Sequence, residues 1–301
     1  MAYSGQLREG SLDSSREEYR EGKVLCAHPG GLHRVAYTEW GNPNNSKVVI
    51  CVHGFTRTGR DFDYLARTLA GRYRVICPDI VGRGKSEWLD DKMAYGVPQF
   101  LADMITLIAR LNVEEVHWVG TSLGGMIGMF LASLEKSPIS RLVLNDVGPR
   151  IVGDAIRGMR DYIGTAPDFA TFDEVEAYSR PLMRSLGEHS EEEWRFLVEH
   201  LVRQRPEDGR WEFVYDPGLA EPFRQAPDFP SVDLWPIFEK IRCPTLAIRG
   251  AESIYLPRDD WRMMSVRGPK ARLVEIQGVG HAPTLISNYQ TGLVKNFLLE
   301  A

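Results

Sequence analysis

The sequence has no apolar run long enough to span a lipid bilayer, and its first residues lack the apolar stretch of a secretion signal. Cysteine is also scarce: the 4 cysteines among 301 residues are widely spaced. These absences argue against a membrane-embedded protein and against a small secreted fold held together by disulfides. We therefore expect reduced thiols in a cytoplasmic protein.

The chain has no strong excess of charge of either sign. Its formal net charge is -5, with 26% charged and 43% hydrophobic residues, which is the composition of an ordinary soluble globular protein. No basic surface for nucleic acid is indicated. The sequence thus predicts neither a nucleic-acid nor a membrane partner, and it is compatible with a homo-oligomer.

The histidines are scattered and lack metal-ligand spacing such as H-x-x-x-H, so we expect neither a metal site nor a cofactor. The segment "DIVGRGKS" resembles a phosphate-binding loop, but Asp79 stands where that motif requires its first glycine. Gly82 and Gly84 indicate an ordinary turn instead.

Short apolar runs rich in β-branched residues alternate with helical patterns along most of the chain, which predicts a parallel sheet covered on both faces. An earlier run, "HRVAYTEWG", ends in the turn-rich "GNPNNS" and predicts an outer antiparallel strand. The segment "VPQFLADMITLIARLN" predicts an amphipathic helix that begins near Pro98. The expected core strands begin at Lys47, Tyr73, Glu115, Arg141, Pro244 and Ala271.

This alternation stops between Arg150 and Pro236, where acidic and aromatic helix-like segments occur without a strand of the core type. We interpret residues 150–236 as a helical cap inserted into one α/β core, residues 23–149 and 237–301, after an N-terminal extension, residues 1–22. Insertions at the carboxyl ends of strands usually shape ligand sites. A solvated excursion without such a role remains the alternative.

The strongest chemical signal is "VHWVGTSLGGMIGMFLA", in which Gly120, Ser122 and Gly124 form G-x-S-x-G between an apolar strand and an apolar helix. A serine on a sharp strand-to-helix turn needs flanking glycines, because neighbouring backbone must approach closely. The pattern predicts Ser122 as a nucleophile.

Further segments complete this constellation. His281 lies in the glycine-flanked "QGVGHAPTLI", after the last expected strand, as the candidate base. "CVHGFTRTG" places Phe55 at the end of an earlier strand, where its backbone N–H and that of Leu123 are expected to form an oxyanion hole. His53 adjoins this loop, and we favour a structural role for it over a chemical one.

From about residue 31 to its end, the chain resembles the capped α/β-hydrolases that carry a single-glycine "HGF" motif. The resemblance rests on "VHGFTRTGRDFDYLA", "ICPDIVGRGKS", "VGTSLGG", "LVLNDVGP" and "GVGHAP". It implies the α/β-hydrolase fold, a mostly parallel twisted sheet with helices on both faces and an inserted helical cap. It also implies Ser122 as nucleophile, His281 as general base, and Phe55 and Leu123 as oxyanion donors.

The catalytic acid is harder to assign. Members of the resembled family normally carry an aspartate at the place that Ser253 or Ile254 occupies here. The resemblance also implies that some members supply the acid from the strand that ends at Asp146, and we favour Asp146. Glu252 is the alternative, Asp259 and Asp260 are weaker candidates at a helix start, and a triad without any acid remains open.

These residues predict a serine hydrolase that cleaves a carboxylic ester of a small, mostly apolar substrate through an acyl-enzyme intermediate. Because the base must be neutral and histidine ordinarily has a pKa of about 6.5, activity should fall at lower pH. A carbon–carbon bond hydrolase and a lactonase remain alternatives on the same site. A ligand-binding relative with an incomplete triad and little turnover is the alternative from another class.

Overall fold

The computed structural model describes residues 19–160, 163–225 and 230–300. The strands of its largest sheet are β1 (Tyr19–His28), β2 (Gly31–Trp40), β3 (Val48–Val52), β4 (Arg74–Pro78), β5 (Val116–Thr121), β6 (Ile139–Asn145), β12 (Thr245–Gly250) and β13 (Arg272–Ile276). They form an eight-stranded sheet in the order β1-β2-β4-β3-β5-β6-β12-β13. The pairs from β4 to β13 are parallel, and β1 and β2 are antiparallel to their neighbours.

Each strand expected from the apolar runs is present, including the outer antiparallel strand, which is β2. The first strand, β1, was not expected, because only Val24 and Cys26 within it are buried. Its exposed remainder gives little periodic signal in the sequence. The expected boundary at residue 22 falls within this strand, and residues 1–18 of the expected extension lie outside the described residues.

Helices cover both faces of the sheet, as the alternating pattern predicts. On one face α1 (Asp63–Leu69) packs against α10 (Asn288–Leu299). On the other, α3 (Leu123–Ala132) packs between α2 (Val97–Leu111) and α8 (Trp235–Phe238), and α9 (Arg258–Met263) follows β12. Each face has its own apolar cluster, so the sheet is buried between two cores.

Helix α2 follows the predicted periodicity closely. Pro98 lies in its first turn, and the expected apolar stripe faces the core through Phe100, Met104 and Leu107. The helix ends where Asn112 adopts a left-handed conformation, with φ 54°. The amphipathic pattern therefore predicted both where α2 lies in the chain and which of its faces is buried.

The segment from residue 150 to residue 236, which we call the cap segment, has more strand than the sequence pattern predicted. Its strands pair in small antiparallel sheets of two or three residues per strand, which are too short to produce a periodic signal. Its elements are β7 (Arg150–Ile151), α4 (Gly153–Arg160), β8 (Asp168–Phe169), α5 (Phe172–Leu182), α6 (Glu191–Glu199), β9 (Val202–Gln204), β10 (Trp211–Phe213), α7 (Glu221–Gln225) and β11 (Val232–Asp233).

Buried polar groups join the cap segment to the core. Asp216 accepts hydrogen bonds from Lys92 Nζ at 2.5 Å and from the Tyr95 hydroxyl at 2.6 Å. The backbone N–H of Gly84 donates to the carbonyl of Val214, at 2.8 Å. These bonds hold residues 214–216 of the cap segment against the core.

A second buried polar cluster lies at the outer hairpin. Cys26 of β1, His33 of β2 and Asp103 of α2 place their potential metal-ligand atoms within 4.8 Å of one another. His33 Nε2 lies 3.0 Å from Asp103 Oδ1, which also accepts a hydrogen bond from Gln99. This contact links the β1–β2 hairpin to α2, and burial raises the pKa of the Cys26 thiol to about 12.

Among the residues that the structure describes, no helix combines the length and apolarity needed to cross a membrane.

Candidate active site

Ser122 lies at the turn between β5 and α3, at the centre of the candidate site. Its backbone has φ 51° and ψ -114°, a strained conformation for a residue with a side chain. Its backbone N–H donates to the carbonyl of Asn145 at the end of the neighbouring strand, at 3.0 Å. The turn is therefore sharp, and its strain is sustained by the surrounding sheet.

The glycines around Ser122 are required by space. A Cβ atom at Gly124 would lie 2.0 Å from the carbonyl oxygen of Val52, and one at Gly120 would lie 2.4 Å from the backbone of Gly124. Both distances are well below van der Waals contact, and the contacting atoms belong to rigid backbone. The G-x-S-x-G pattern thus allows the helix to begin directly against the sheet.

His281 reaches Ser122 from the loop between β13 and α10. Its Nε2 lies 2.9 Å from Ser122 Oγ. Asn145 Nδ2 donates to the carbonyl of Pro283 at 2.8 Å, and the N–H of Gly280 donates to the carbonyl of Ser185 in the cap segment at 2.6 Å. The core and the cap segment together hold this loop against the serine.

Asp146 lies on the other side of the imidazole ring. It follows β6, is fully buried, and has φ 54°. Its Oδ2 is 2.7 Å from His281 Nδ1, while its Oδ1 accepts a hydrogen bond from the N–H of Gly250 at 2.9 Å. The structure thus brings Ser122, His281 and Asp146 into one hydrogen-bonded chain.

The other candidate acids do not join this chain. Glu252 is exposed at the mouth of the adjoining cavity, and none of the described hydrogen bonds joins its carboxylate to His281. Asp259 is exposed beside Arg262, and Asp260 pairs with Arg150. The lack of an aspartate at position 253 kept open the alternative of a triad without an acid, and the structure places the carboxylate of Asp146 beside His281.

The loop that carries Phe55 is anchored by a buried arginine. Arg83 is fully buried, and its Nε donates to the carbonyl of Phe55 at 2.8 Å while its guanidinium packs over the Phe55 ring. The N–H of Leu123 belongs to the first residue of α3, so it has no acceptor within the helix. Both expected oxyanion donors therefore lie on fixed backbone beside Ser122.

The contacts of His53 are structural, which is the role that we favoured from the sequence. It is fully buried, its Nε2 accepts a hydrogen bond from the N–H of Ile80 at 2.9 Å, and its Nδ1 lies 2.6 Å from the carbonyl of Gly54. Burial lowers the pKa of His53 to about 3. It remains neutral and ties two loops together.

Asp79 explains why the "DIVGRGKS" segment is a turn. Its carboxylate accepts hydrogen bonds from the N–H groups of Gly59 and Lys85, both at 2.8 Å. Burial raises the pKa of Asp79 to about 6. The carboxylate therefore occupies the space inside the loop where a phosphate would have to bind.

A cavity of about 500 Å³ opens above Ser122 and His281, between the core and the cap segment. Its lining is largely apolar, and its walls include Leu182, Met183, Leu186, Leu197, Phe213 and Tyr215 of the cap segment. Arg57 also lines it, but its Nε and Nη2 are paired with Asp61. The cavity suits a mostly apolar chain.

The aromatic residues of the cap segment divide into two groups. Tyr178, Phe213 and Tyr215 line the cavity, and the rings of Phe213 and Tyr215 stack on each other. Others pack on neighbouring rings: Trp194 on His189, Phe196 on Tyr64, Trp211 on Phe172, Phe223 on Phe55 and Trp235 on Phe238.

Two contacts around His281 and Asp146 were not predicted from the sequence. Position 253 was identified only as lacking the expected aspartate, yet the hydroxyl of Ser253 donates a hydrogen bond to Asp146 Oδ2 at 2.6 Å. The ring of Tyr255 stacks on the imidazole, with centroids 4.0 Å apart. Neither contact can be predicted from a single sequence, because both depend on how the loop after β12 packs against Asp146 and His281.

Comparisons with known proteins agree with this geometry. The model of the alpha/beta hydrolase family matches residues 49–290. A 3-hydroxybutyrate-oligomer hydrolase of Cupriavidus necator is 48% identical over 94% of this chain and 98% of its own length. The esterase YbfF of Escherichia coli is 27% identical over 80% of this chain and 88% of its own length.

A solved structure has the same architecture. The crystal structure of an alpha/beta hydrolase from Novosphingobium aromaticivorans superimposes with a TM-score of 0.84, at 32% identity, over 93% of this chain and 98% of that one.

Proposed function

We propose that Ser122, His281 and Asp146 hydrolyse esters through a covalent acyl-enzyme intermediate. The chain belongs to the alpha/beta hydrolase family, and relatives that include an oligomer hydrolase and an esterase support ester hydrolysis as its activity. The observation that supports the proposal is the chain of contacts from Asp146 Oδ2 to His281 Nδ1, at 2.7 Å, and from His281 Nε2 to Ser122 Oγ, at 2.9 Å. In this geometry a proton can leave the serine as its oxygen attacks.

In the first half of the reaction, His281 Nε2 takes the hydroxyl proton of Ser122, and Ser122 Oγ forms a bond to the ester carbonyl carbon. The backbone N–H groups of Phe55 and Leu123 stabilise the oxyanion of the tetrahedral intermediate. The bond from carbon to the alkoxy oxygen then breaks. His281 gives its proton to that oxygen, and the alcohol leaves.

In the second half, water attacks the acyl carbon while His281 takes one of its protons. The bond between Ser122 Oγ and the acyl carbon breaks, the carboxylic acid is released, and the proton returns to Ser122. Asp146 stays ionised throughout and stabilises the imidazolium ion that forms in each half. The chain's own residues perform every proton transfer.

We propose short linear oligoesters of hydroxy acids, of the 3-hydroxybutyrate type, as substrates. The support is the 48% identity to the oligomer hydrolase along almost the whole chain, together with the cavity, which is largely apolar and has a volume of about 500 Å³. The segment 150–236 would then act as the cap that selects the chain.

The four cysteines are free thiols, three of them buried. Free thiols are typical of proteins in a reducing compartment, which supports the cytoplasm as the place of action.

The test compares the wild type with Ser122→Ala on 3-hydroxybutyrate dimer and trimer and on p-nitrophenyl esters of increasing acyl length. We expect turnover by the wild type, a loss of at least about 1,000-fold in the variant, and kcat/KM that rises from short acyl groups to the oligoesters. Undiminished turnover in Ser122→Ala would refute the mechanism. A wild type active on p-nitrophenyl esters but not on the oligoesters would refute the substrate class alone.

A further inference from the structure

The carboxylate of Asp146 has one partner that the hydrolytic mechanism does not use. Oδ2 accepts from two directions: His281 Nδ1 lies at 2.7 Å and the hydroxyl of Ser253 at 2.6 Å. Oδ1 is held separately by the N–H of Gly250. The orientation of the carboxylate toward the imidazole therefore depends on the loop after β12, as well as on its own strand.

The hydroxyl of Ser253 is directed by its surroundings. Its oxygen accepts hydrogen bonds from the N–H groups of Tyr255 at 3.2 Å and Leu256 at 3.3 Å. Because both lone-pair directions are occupied, the hydroxyl hydrogen is left to point at Asp146. Ser253 is 6% exposed, so water does not replace these partners easily.

The loop that carries Ser253 is held in place by a buried arginine. Arg249 is buried at the end of β12, and its guanidinium donates to the carbonyls of Ala251, Ser253 and Leu256. It is also paired with Glu275 of β13, at 2.9 Å. The arginine thus fixes the backbone on both sides of Ser253.

We propose that Ser253 is a positioning residue of the reaction: its hydroxyl holds the carboxylate of Asp146 in the orientation in which Oδ2 meets His281. This inference rests on the proposed function. The shared Oδ2 also implies that the side chain at position 253 is directed at the same edge of the imidazole as Asp146. Position 253 is then an alternative place for the acid.

The hydroxyl has a predictable electrostatic effect. A donor on Oδ2 disperses the negative charge of the carboxylate, so less of that charge stabilises the imidazolium form of His281. Removal of the hydroxyl leaves the carboxylate less firmly oriented, while its remaining bond to the N–H of Gly250 keeps it beside the ring with more of its charge on Oδ2. The turnover number should fall, and the acid limb of the pH profile of kcat/KM should move to higher pH.

The first test is Ser253→Ala, assayed for kcat, KM and the pH profile of kcat/KM. We expect kcat to fall about 10-fold, because a hydrogen bond to a charged group is lost, with KM changed less than about twofold and the acid limb displaced upward. Wild-type kcat with an unmoved profile would overturn the proposal.

The matched control is Ser86→Ala. Ser86 is also buried, and its hydroxyl likewise accepts from a backbone N–H, that of Ala36, and donates to an oxygen, the carbonyl of Asp79. This variant should lose stability without moving the acid limb. An equal displacement of the limb in both variants would assign the effect to general loosening and overturn the proposal.

The second test exchanges the two side chains. Asp146→Ser alone should lose most of the activity, and adding Ser253→Asp should restore at least about 10-fold of it. A folded double variant no more active than Asp146→Ser would overturn the proposal. If the double variant does not fold, Ser253→Ala still decides. Failure of the proposed function is recognised separately, because Ser122→Ala would then retain turnover whatever residue occupies position 253.

Discussion

Asp146 and His281 are 135 positions apart in the chain, yet Oδ2 of one lies 2.7 Å from Nδ1 of the other. Asp146 is completely buried, so its charge is stabilised by the hydrogen bonds that it accepts there and not by water. On the proposed mechanism the acid of this site comes from the end of β6, and the loop after β12 supplies the hydroxyl of Ser253 in place of a carboxylate.

Asp146→Asn should lower kcat by about 1,000-fold or more, because the imidazolium ion loses its charged partner and the ring its preferred tautomer. Steady-state kinetics on a p-nitrophenyl ester measures this directly. The matched variant is Glu252→Gln, which removes an exposed carboxylate from the cavity mouth and should change kcat less than about threefold. The reverse pattern would mean that Glu252 is the acid.

Gly124→Ala should destabilise the fold and abolish hydrolysis. The added Cβ would lie 2.0 Å from the carbonyl oxygen of Val52, so α3 and the turn that carries Ser122 must move. The expected loss is about 2 kcal/mol or more of unfolding free energy, which chemical denaturation measures.

The control for this variant is Gly292→Ala in α10, where an added Cβ meets no atom within 4 Å. Alanine there should stabilise the protein by up to about 1 kcal/mol. A Gly124→Ala protein as stable and as active as Gly292→Ala would contradict the steric account.

His53 makes stability depend on pH. Its pKa is lowered by burial from 6.5 to about 3, so between these values the unfolded chain binds a proton that the folded protein does not. The free energy of unfolding should therefore decrease as pH falls from about 6.5 to about 3, by up to about 1.4 kcal/mol for each pH unit from this group.

Chemical denaturation of the wild type and of His53→Gln over this pH range isolates the contribution of His53. Asp79 acts in the opposite direction, because its pKa is raised by burial to about 6, but it is common to both proteins. The variant should lose less stability on acidification than the wild type. Parallel curves for the two proteins would contradict this prediction.

Arg83→Met should reduce kcat with little change in KM. The substitution keeps much of the apolar packing but removes the hydrogen bond to the carbonyl of Phe55, at 2.8 Å. On the proposed mechanism the N–H of Phe55 acts on the tetrahedral intermediate, so its displacement affects the reaction step more than binding. We expect a loss of about 10- to 100-fold in kcat, and a rise in KM alone would argue against this role.

The sequence predicted those parts of the molecule whose signals are local. The core strands and α2 could be predicted from their apolar periodicity. The turn at Ser122 could be predicted from its flanking glycines, since a side chain at those positions would collide with nearby backbone. The alternation of these elements predicted a parallel sheet covered on both faces, and the family resemblance implied the α/β-hydrolase fold, which the comparisons confirm.

The remaining features depend on contacts between distant segments. Strand β1 buries only Val24 and Cys26, and the cap strands have too few residues for a period to be visible. The placement of Asp146 on His281, and of Ser253 on Asp146, depends on the relative positions of loops more than 100 residues apart in the chain. Resemblance could name Asp146 as a candidate, but only the packed structure brings the three side chains together.

The most direct test of the account is to trap the acyl-enzyme. The wild type is mixed with a large excess of an activated ester, quenched in acid within the first turnovers, digested and analysed by mass spectrometry. We predict an acyl group on the peptide that contains Ser122 in the wild type, a longer-lived adduct in Asp146→Asn, and none in Ser122→Ala. An acyl group found on another residue, or undiminished turnover of the ester by Ser122→Ala, would contradict the claim that Ser122 is the nucleophile.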